Sequence, residues 1–141
     1  MTIELATTDD LIARTFPVMR QLRTHLEQTS YVDRVKRQQA DGYHLAVLEE
    51  GPIVHAVAGF RVLEQLVRGR VLYVDDLVTD EEARSQGYGD ALFDWLVVRA
   101  RALGCAALEL DSGVQRHGAH RFYLRKRMDI AAYHFILPLH G

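Results

Sequence analysis

The feature that most constrains this chain is a glycine-bearing turn between a strand-like run and a helical pattern. The apolar run covers residues 71–78, the turn is Arg84-Ser85-Gln86-Gly87-Tyr88-Gly89, and the helical pattern covers residues 90–103. The first amides of a helix have no internal partners and lie at the positive end of its dipole, and glycine lets the backbone approach a ligand closely. Together the three segments predict a site for a phosphate-bearing cofactor.

Two other phosphate-binding turns do not match these residues. A Walker A loop places a lysine and then a serine or threonine after its last glycine, whereas Gly89 is followed by Asp90 and Ala91. A dinucleotide-binding turn needs a small residue three positions after its second glycine, where this chain has Leu92. The sequence therefore disfavours an ATPase and a Rossmann dehydrogenase.

The composition predicts an ordinary globular protein with a single domain over residues 1–141. Hydrophobic residues make up 48% of the chain and the formal net charge is -2, which gives no support for a nucleic-acid partner. One cysteine, Cys105, excludes a disulfide within the chain and fits a reducing compartment. No segment approaches the ~20 apolar residues of a membrane span, so we expect a cytoplasmic protein without a membrane partner.

The order of the predicted elements favours an α/β (α+β) fold, with a mixed sheet and helices on both of its faces. Pro17 is expected to end or kink the first helix, and Gly59 marks a candidate β-bulge. The crossover through residues 90–103 predicts that the strands on either side of it are parallel. Strands are expected at residues 3–6, 44–49, 53–63, 71–78, 106–110 and 130–139, and helices at residues 12–26, 30–40, 90–103 and 117–127.

Three motifs between residues 71 and 123 resemble the GNAT superfamily of acyl-CoA-dependent N-acyltransferases. The glycine turn matches the pattern Arg/Gln-x-x-Gly-x-Gly/Ala, Asp75-Asp76-Leu77-Val78 precedes it, and Ala119-x-x-x-Tyr123 follows it. The resemblance implies a GNAT-like fold with a mixed, mostly antiparallel central sheet. It also implies a central parallel strand pair that splays apart, which family members usually achieve with a bulge in the first of the two strands.

The same resemblance implies how acetyl-CoA is held as a co-substrate. The amides from Arg84 to Gly89 would bind the pyrophosphate, and Arg84 would add charge. The backbone of Leu77 and Val78 would pair with the pantetheine arm like an added strand. Asp111 and Ser112, which end the second central strand, would face the same opening.

Two departures from the family pattern and a pair of histidines complete the candidate residues. Arg116 stands where many members carry asparagine, and Arg127-Met128 stands where members usually carry Gly-Phe. His117 and His120 lie three residues apart, but two ligands alone do not make a metal site, so no metal is expected.

Amine acetylation requires a neutral acceptor nitrogen, although an alkylamine has a pKa near ~10.4. The resemblance implies that Tyr123 protonates the departing thiolate and that a carboxylate on the central strand acts as the base. Strand alternation places Tyr73 and Asp75 on one face and Val74 and Asp76 on the other. Family bases usually lie on the first of these faces, so Asp75 is the first candidate and Asp76 the second. The alternatives are a core tyrosine, and an aspartate that only pairs with a neighbouring backbone or arginine group.

The sequence leaves the acceptor open between a small-molecule amine and a peptide or protein amine, and the acyl group open between acetyl and a longer chain. A non-catalytic acyl-CoA-binding sensor or partner-docking module is the main alternative to an N-acetyltransferase. A nucleotide-binding regulator is a third hypothesis. The apolar last strand, residues 133–139, is a candidate for pairing between subunits in a homodimer.

Overall fold

The computed structural model describes residues 1–140. Two units are distinguished, Met1–Glu109 and a second that begins at Leu110. No helix among the described residues is long and apolar enough to cross a membrane. The elements, in chain order, are β1 (Thr2–Leu5), α1 (Asp9–Leu22), α2 (Gln28–Ala40), β2 (His44–Glu50), β3 (Ile53–Gln65), β4 (Gly69–Thr79), a 3₁₀ turn (Glu81–Ala83), α3 (Tyr88–Ala102), β5 (Ala107–Leu110) and α4 (His117–Arg125).

The five strands form one mixed sheet in the order β1-β2-β3-β4-β5. Neighbouring strands from β1 to β4 are antiparallel. Hairpins join β2 to β3 and β3 to β4, whereas α1 and α2 separate β1 from β2. β4 and β5 are parallel, because α3 carries the chain back across the sheet between them. The predicted mixed, mostly antiparallel sheet with one parallel pair is therefore confirmed, although the pair lies at the edge of the five-stranded sheet and not at its centre.

Side chains of β3 show that helices cover both faces of this sheet. Val57 belongs to a buried cluster with Ile12 of α1 and Tyr31 of α2. Phe60 points to the opposite face, where its ring meets Trp95 of α3 edge-on with 6.3 Å between the ring centroids. Burial of apolar side chains on both faces supplies the main driving force for folding of this unit.

α1 is continuous through Pro17. Pro17 cannot donate a hydrogen bond to the carbonyl of Ala13, but both residues lie on the exposed side of the helix. Water can satisfy that carbonyl, while the buried neighbours Phe16 and Val18 hold the helix against the sheet. Of the two effects expected of Pro17, an end of the helix is wrong and a kink stays a prediction.

A β-bulge interrupts the pairing of β3 with β4. Gly59 pairs with Asp76, whereas the next residue, Phe60, pairs with Val74, so Asp75 is the extra residue on β4. The bulge expected in the first strand of the parallel pair is confirmed. Gly59 lies opposite this bulge and is not itself the inserted residue.

Residues 130–139 do not form the last strand that the sequence predicts. Within the described chain no residue after α4 belongs to a strand, and the side chains of Tyr133 and Phe135 are 84% and 92% exposed. A strand is stable only when its backbone groups pair with a neighbouring strand, and among the described residues the sheet ends at β5 without a sixth strand. The prediction of a last strand is wrong for a single chain.

Candidate active site

The glycine turn is a tight, exposed loop that leads into α3. Ser85 and Gly87 have φ angles of 69° and 84°, both in the left-handed region. A Cβ atom built on Gly87 would meet no atom within 4 Å, so the backbone conformation, and not lack of space, favours glycine at this position. The strained turn directs the chain from the 3₁₀ turn into the first residue of α3, Tyr88.

The beginning of α3 has the chemistry that a pyrophosphate requires. Gly87 is the N-cap residue and has no side chain to cap the helix; α2 and α4 also lack a side-chain cap, whereas Thr8 caps α1. The hydrogen bond from Ala91 N to Gly87 O, at 3.0 Å, closes the first turn of the helix. The start of α3 therefore combines amides without a side-chain acceptor with the positive end of the helix dipole, and the residues of the turn fit the proposed cofactor.

Tyr88 is fixed against the hairpin formed by β2 and β3. Its hydroxyl donates to Glu50 Oε1 at 2.6 Å, and its ring stacks on His55 with 4.2 Å between centroids and 5° between planes. His55 Nε2 lies 3.0 Å from the same Glu50 oxygen. The hydrogen bond from Tyr88 lowers the pKa of Glu50 and raises the pKa of Tyr88 itself. These partners were not predictable, because no local sequence pattern links Tyr88 to residues so distant in the chain.

The backbone of Leu77 and Val78 lies on a part of β4 that β5 does not reach. Ala106 N donates to Arg70 O at 2.7 Å, so β5 begins beside the start of β4. β5 has 4 residues, whereas β4 has 11 and continues to Thr79. Because both strands advance about 3.3 Å per residue, β4 extends past the end of β5. The position of Leu77 and Val78 therefore suits pairing with an extended ligand.

Asp75 and Asp76 belong to one polar network beside the bulge. Arg61 Nε donates to Asp75 Oδ2 at 2.9 Å. The Tyr43 hydroxyl donates to Asp76 Oδ2 at 2.7 Å, and Arg23 Nε donates to Asp76 Oδ1 at 2.9 Å. The guanidinium of Arg61 also lies over the Tyr43 ring, 5.4 Å from its centroid, which joins the two halves of the network. The expectation that Asp75 and Asp76 point to opposite faces is wrong, because the bulge breaks the alternation.

The two aspartates differ in what their oxygens can still accept. Both oxygens of Asp76 receive hydrogen bonds. Asp75 Oδ1 is buried and has no hydrogen-bond partner within residues 1–140. Burial raises the pKa of Asp75, and the hydrogen bond and charge of Arg61 oppose that effect. A carboxylate oxygen that is uncommitted and more basic than usual suits a general base, so the geometry favours Asp75 over Asp76.

Gly59 makes room for the Tyr43 side chain in this network. A Cβ atom at residue 59 would overlap the Tyr43 hydroxyl. Burial raises the pKa of Tyr43 well above its usual value, and the charge of Asp76 adds to the effect, so the phenol remains a donor to that carboxylate. The sequence marked Gly59 as a bulge residue, but nothing local to it revealed the contact with Tyr43.

The second unit carries the remaining candidate residues. Ser112 Oγ is buried and has no hydrogen-bond partner among the residues that the structure describes. Asp111 Oδ2 lies 3.2 Å from His134 Nδ1. Tyr123 lies on α4 and is partly buried, with its ring edge-on to Phe122 at 5.6 Å between centroids. The roles of these residues in cofactor binding and catalysis remain predictions.

Comparisons with known proteins agree with this geometry. Residues 6–128 match the model of the Acetyltransferase (GNAT) family. Over 129 residues the chain is 36% identical to the uncharacterised N-acetyltransferase YhdJ of Bacillus subtilis (strain 168), an alignment that covers 90% of this chain and 91% of that protein.

Two solved structures illustrate how widely the fold is shared. A putative acetyltransferase from Agrobacterium tumefaciens C58 superposes with a TM-score of 0.85 at 18% identity, covering 98% of this chain and 99% of the other. A transcriptional regulator from Bacillus halodurans C-125 superposes with a TM-score of 0.82 at 25% identity, covering 99% of each chain. With a mixed sheet, a bulged central strand and a family match over most of its length, the chain belongs to the GNAT acetyltransferase family.

Proposed function

We propose that the protein transfers an acetyl group from acetyl-CoA to a primary amine by direct attack in a ternary complex. The observation that carries the proposal is the succession of a bulged strand bearing Asp75 and a helix start without a side-chain cap. The first supplies a carboxylate for the amine, and the second supplies donors for a pyrophosphate. We treat residues 1–141 as one acetyltransferase domain, because the family match runs across the boundary at Leu110.

Acetyl-CoA is held in this proposal more by backbone than by side chains. The amides of residues 84–89 bind the pyrophosphate, and the backbone of Leu77 and Val78 pairs with the pantetheine arm. Asp111 and Ser112 are assigned to cofactor binding by the family resemblance, and the unpartnered Ser112 Oγ supports that assignment, because buried polar groups normally have a partner. Bound acetyl-CoA supplies the thioester from which the acyl group leaves.

Asp75 removes the proton that keeps the acceptor amine unreactive. An alkylamine has a pKa of about 10.4 and is mostly protonated near neutral pH. Asp75 Oδ1 accepts a proton from it, directly or through a water molecule, and the nitrogen lone pair then attacks the thioester carbon. The C–N bond forms, the nitrogen releases its second proton to water, the C–S bond breaks, and the thiolate takes a proton from the Tyr123 hydroxyl. Both side chains return to their initial state by proton exchange with water, and an amine that enters as ammonium leaves one proton in solution.

The neighbours of Asp75 position it for this step. Arg61 holds Oδ2 and thereby orients Oδ1, and Tyr43 and Arg23 hold the adjacent Asp76. A reacting group that is held by fixed neighbours loses less entropy on reaching its productive geometry. Asp76 is therefore a positioning residue in the proposal.

A panel of amines tests the proposed activity. The protein is incubated with acetyl-CoA and, in separate reactions, with polyamines, amino sugars, amino acids, and peptides that carry lysine or a free N-terminus. Thiol release and the mass of the acetylated product are measured. We expect release with at least one class of amine. Gly87→Val is the matched negative control, because a branched residue at a positive φ should distort the cofactor turn.

A non-catalytic acyl-CoA-binding sensor is the second candidate. Both strand carboxylates are already engaged by arginines, and one solved relative is a transcriptional regulator. The same panel separates the two, because a sensor binds acetyl-CoA and releases no thiol with any amine. Stabilisation by ATP but not by coenzyme A would favour a nucleotide-binding regulator instead.

We also propose that the protein forms a homodimer through residues 130–139. Exposed apolar patches mark interaction sites, and a twofold axis lets the same segment of two copies pair and cover both sets of side chains. Six large apolar side chains of this segment are available to such an interface. The six side chains, each more than three-quarters exposed, are Ile130, Tyr133, Phe135, Ile136, Leu137 and Leu139.

The proposed location of the protein is the cytoplasm. Cys105 is a free thiol, which fits a reducing compartment.

A further inference from the structure

We propose that Tyr88 is a positioning residue that acts through His55 and Glu50 to hold the first turn of α3 in the orientation that binds the cofactor pyrophosphate. The inference rests on the proposed function, because it requires that the glycine turn bind acetyl-CoA. It assigns a role to two residues of the β2–β3 hairpin, His55 and Glu50, that belong to none of the family motifs found in the sequence.

The three side chains contact one another, and we call this set the Tyr88 clamp; the Tyr88 hydroxyl also lies 3.4 Å from Gln86 Oε1. Glu50 Oε1 accepts the Tyr88 hydroxyl at 2.6 Å and lies 3.0 Å from His55 Nε2. The rings of Tyr88 and His55 are nearly parallel, 4.2 Å apart and inclined by 5°. The hydrogen bond fixes the tip of the Tyr88 side chain and the stack fixes its ring plane. Tyr88 is also the first residue of α3, so fixing its side chain fixes the start of the helix.

The turn before Tyr88 needs such support because its own structure provides little. Residues 84–87 are exposed, Ser85 and Gly87 have positive φ angles, and no side chain caps α3. A segment of this kind opens easily, and a ligand that must order it binds less tightly. By holding the helix start in place before the cofactor arrives, the Tyr88 clamp removes part of that ordering cost.

The charges of the clamp support a role in alignment. Glu50 is an anion beside a site for an anion, so its charge by itself opposes pyrophosphate binding. His55 Nδ1 is buried and has no hydrogen-bond partner in the described part of the chain. If the clamp served only stability, His55 Nδ1 would be expected to have a hydrogen-bond partner, since unpaired buried polar groups are unfavourable. Both features fit a clamp that is retained for the position of Tyr88.

Equilibrium binding of two ligands tests the proposal without requiring turnover. Coenzyme A carries the pyrophosphate and pantetheine lacks it. The Kd of each ligand is measured by calorimetry and by ligand-observed NMR for three proteins: the wild type, Tyr88→Ala and His55→Ala. We expect the Kd for coenzyme A to rise about tenfold in both variants, the equivalent of about 1.4 kcal/mol, with the Kd for pantetheine unchanged. An equal loss for both ligands would overturn the assignment to the pyrophosphate.

Conservative and remote variants separate alignment from general stability. Glu50→Gln keeps an acceptor oxygen for Tyr88 and should bind coenzyme A at least as tightly as the wild type, whereas Glu50→Ala should weaken binding. His44→Ala removes a comparable stack on Phe60, at 5.1 Å, at the other end of β2, and should leave the Kd unchanged. Melting temperatures identify any variant that fails to fold. If Tyr88→Ala fails to fold, Tyr88→Phe replaces it. Because Tyr88→Phe keeps the stack on His55, its loss of affinity for coenzyme A should be smaller.

The outcomes distinguish this inference from the function on which it rests. A wild-type protein that does not bind coenzyme A would overturn the proposed function. A wild-type protein that binds it, with variants of the Tyr88 clamp that bind equally well, would overturn the positioning role alone.

Discussion

Arg61 Nε donates to Asp75 Oδ2 at 2.9 Å, at the point where β4 carries its extra residue. The bond commits one carboxylate oxygen and leaves Oδ1 without a partner within residues 1–140. Burial nevertheless keeps the pKa of Asp75 above its usual value, even though Arg61 acts in the opposite direction. Arg61 therefore orients the carboxylate without removing the basicity that acceptance of a proton from an amine requires.

Replacing Asp75 should remove the general base. We expect Asp75→Asn to lower kcat about 100-fold or more, within the range usual for loss of a general base. The acidic limb of the wild-type profile of kcat/KM against pH should also disappear, because asparagine does not titrate. Asp76→Asn is the matched control and should keep that limb, since both oxygens of Asp76 are engaged. An unchanged pH profile in Asp75→Asn would exclude Asp75 as the base.

The raised pKa of Asp75 also predicts how stability depends on pH. Below the unfolded value of 3.8 the group is protonated in both states. As the pH rises, the unfolded chain releases the proton first, so the stabilisation from Asp75 is lost as the pH passes through the higher folded pKa. The free energy of unfolding of Asp75→Asn minus that of the wild type should therefore increase with pH across this window. Urea unfolding from about pH 3.5 to about pH 7 measures the difference, and a decrease would contradict the shift.

Tyr123 is assigned a role in the chemical step and none in binding. Tyr123→Phe keeps the ring that lies against Phe122 and removes the proton donor. We expect kcat to fall about 100-fold while the Kd for acetyl-CoA stays within about twofold of the wild type. Single-turnover kinetics and calorimetry measure the two quantities. Equal turnover in the variant would leave Tyr123 as a core tyrosine.

Gly87 and Gly104 form a matched pair for testing the cofactor turn. They flank α3, have φ angles of 84° and 74°, and neither would bring a Cβ atom within 4 Å of another atom. Substitution by alanine should destabilise the protein by about 1–2 kcal/mol at each position, because only the backbone is strained. Gly87→Ala alone should raise the Kd for acetyl-CoA, by about tenfold. Similar weakening in Gly104→Ala would mean that the effect comes from stability and not from the turn.

Features encoded by neighbouring residues were predictable from the sequence. The glycine turn, the helix after it and the parallel strands around them follow from local patterns over residues 71–110. The bulge in β4 was expected from the family resemblance, and the pairing of Gly59 with Asp76 confirms it. α1 is an instructive exception, because burial of Phe16 and Val18 outweighs the local effect of Pro17.

Side-chain partners that are distant in the chain were not predictable. Tyr43 reaches Asp76 only because β2 and β4 flank β3 and because Gly59 leaves space between them. Tyr88 meets Glu50 only after the β2–β3 hairpin and α3 have both formed. Strand alternation failed at Asp75 for a related reason, since a single inserted residue changes the face of those that follow. These contacts are properties of the assembled sheet.

The exposed segment 130–139 predicts a homodimer that specific substitutions should dissociate. We expect the wild type to sediment with twice the mass of one chain at micromolar concentration, and the double variant Phe135→Asp with Leu137→Asp to sediment as a monomer, because buried carboxylates would oppose the interface. Leu66→Asp is the control, since Leu66 is a fully exposed apolar residue in the β3–β4 turn and should not affect the mass.

Hydrogen exchange identifies which surface covers the segment. Amides of residues 130–139 should be protected in the wild type at high protein concentration and should lose protection on dilution, as the dimer dissociates. Protection that persists in a monomeric wild type would contradict the proposal, because the segment would then be covered within its own chain. Rapid exchange at all concentrations would equally contradict it, because no surface would then cover the apolar side chains.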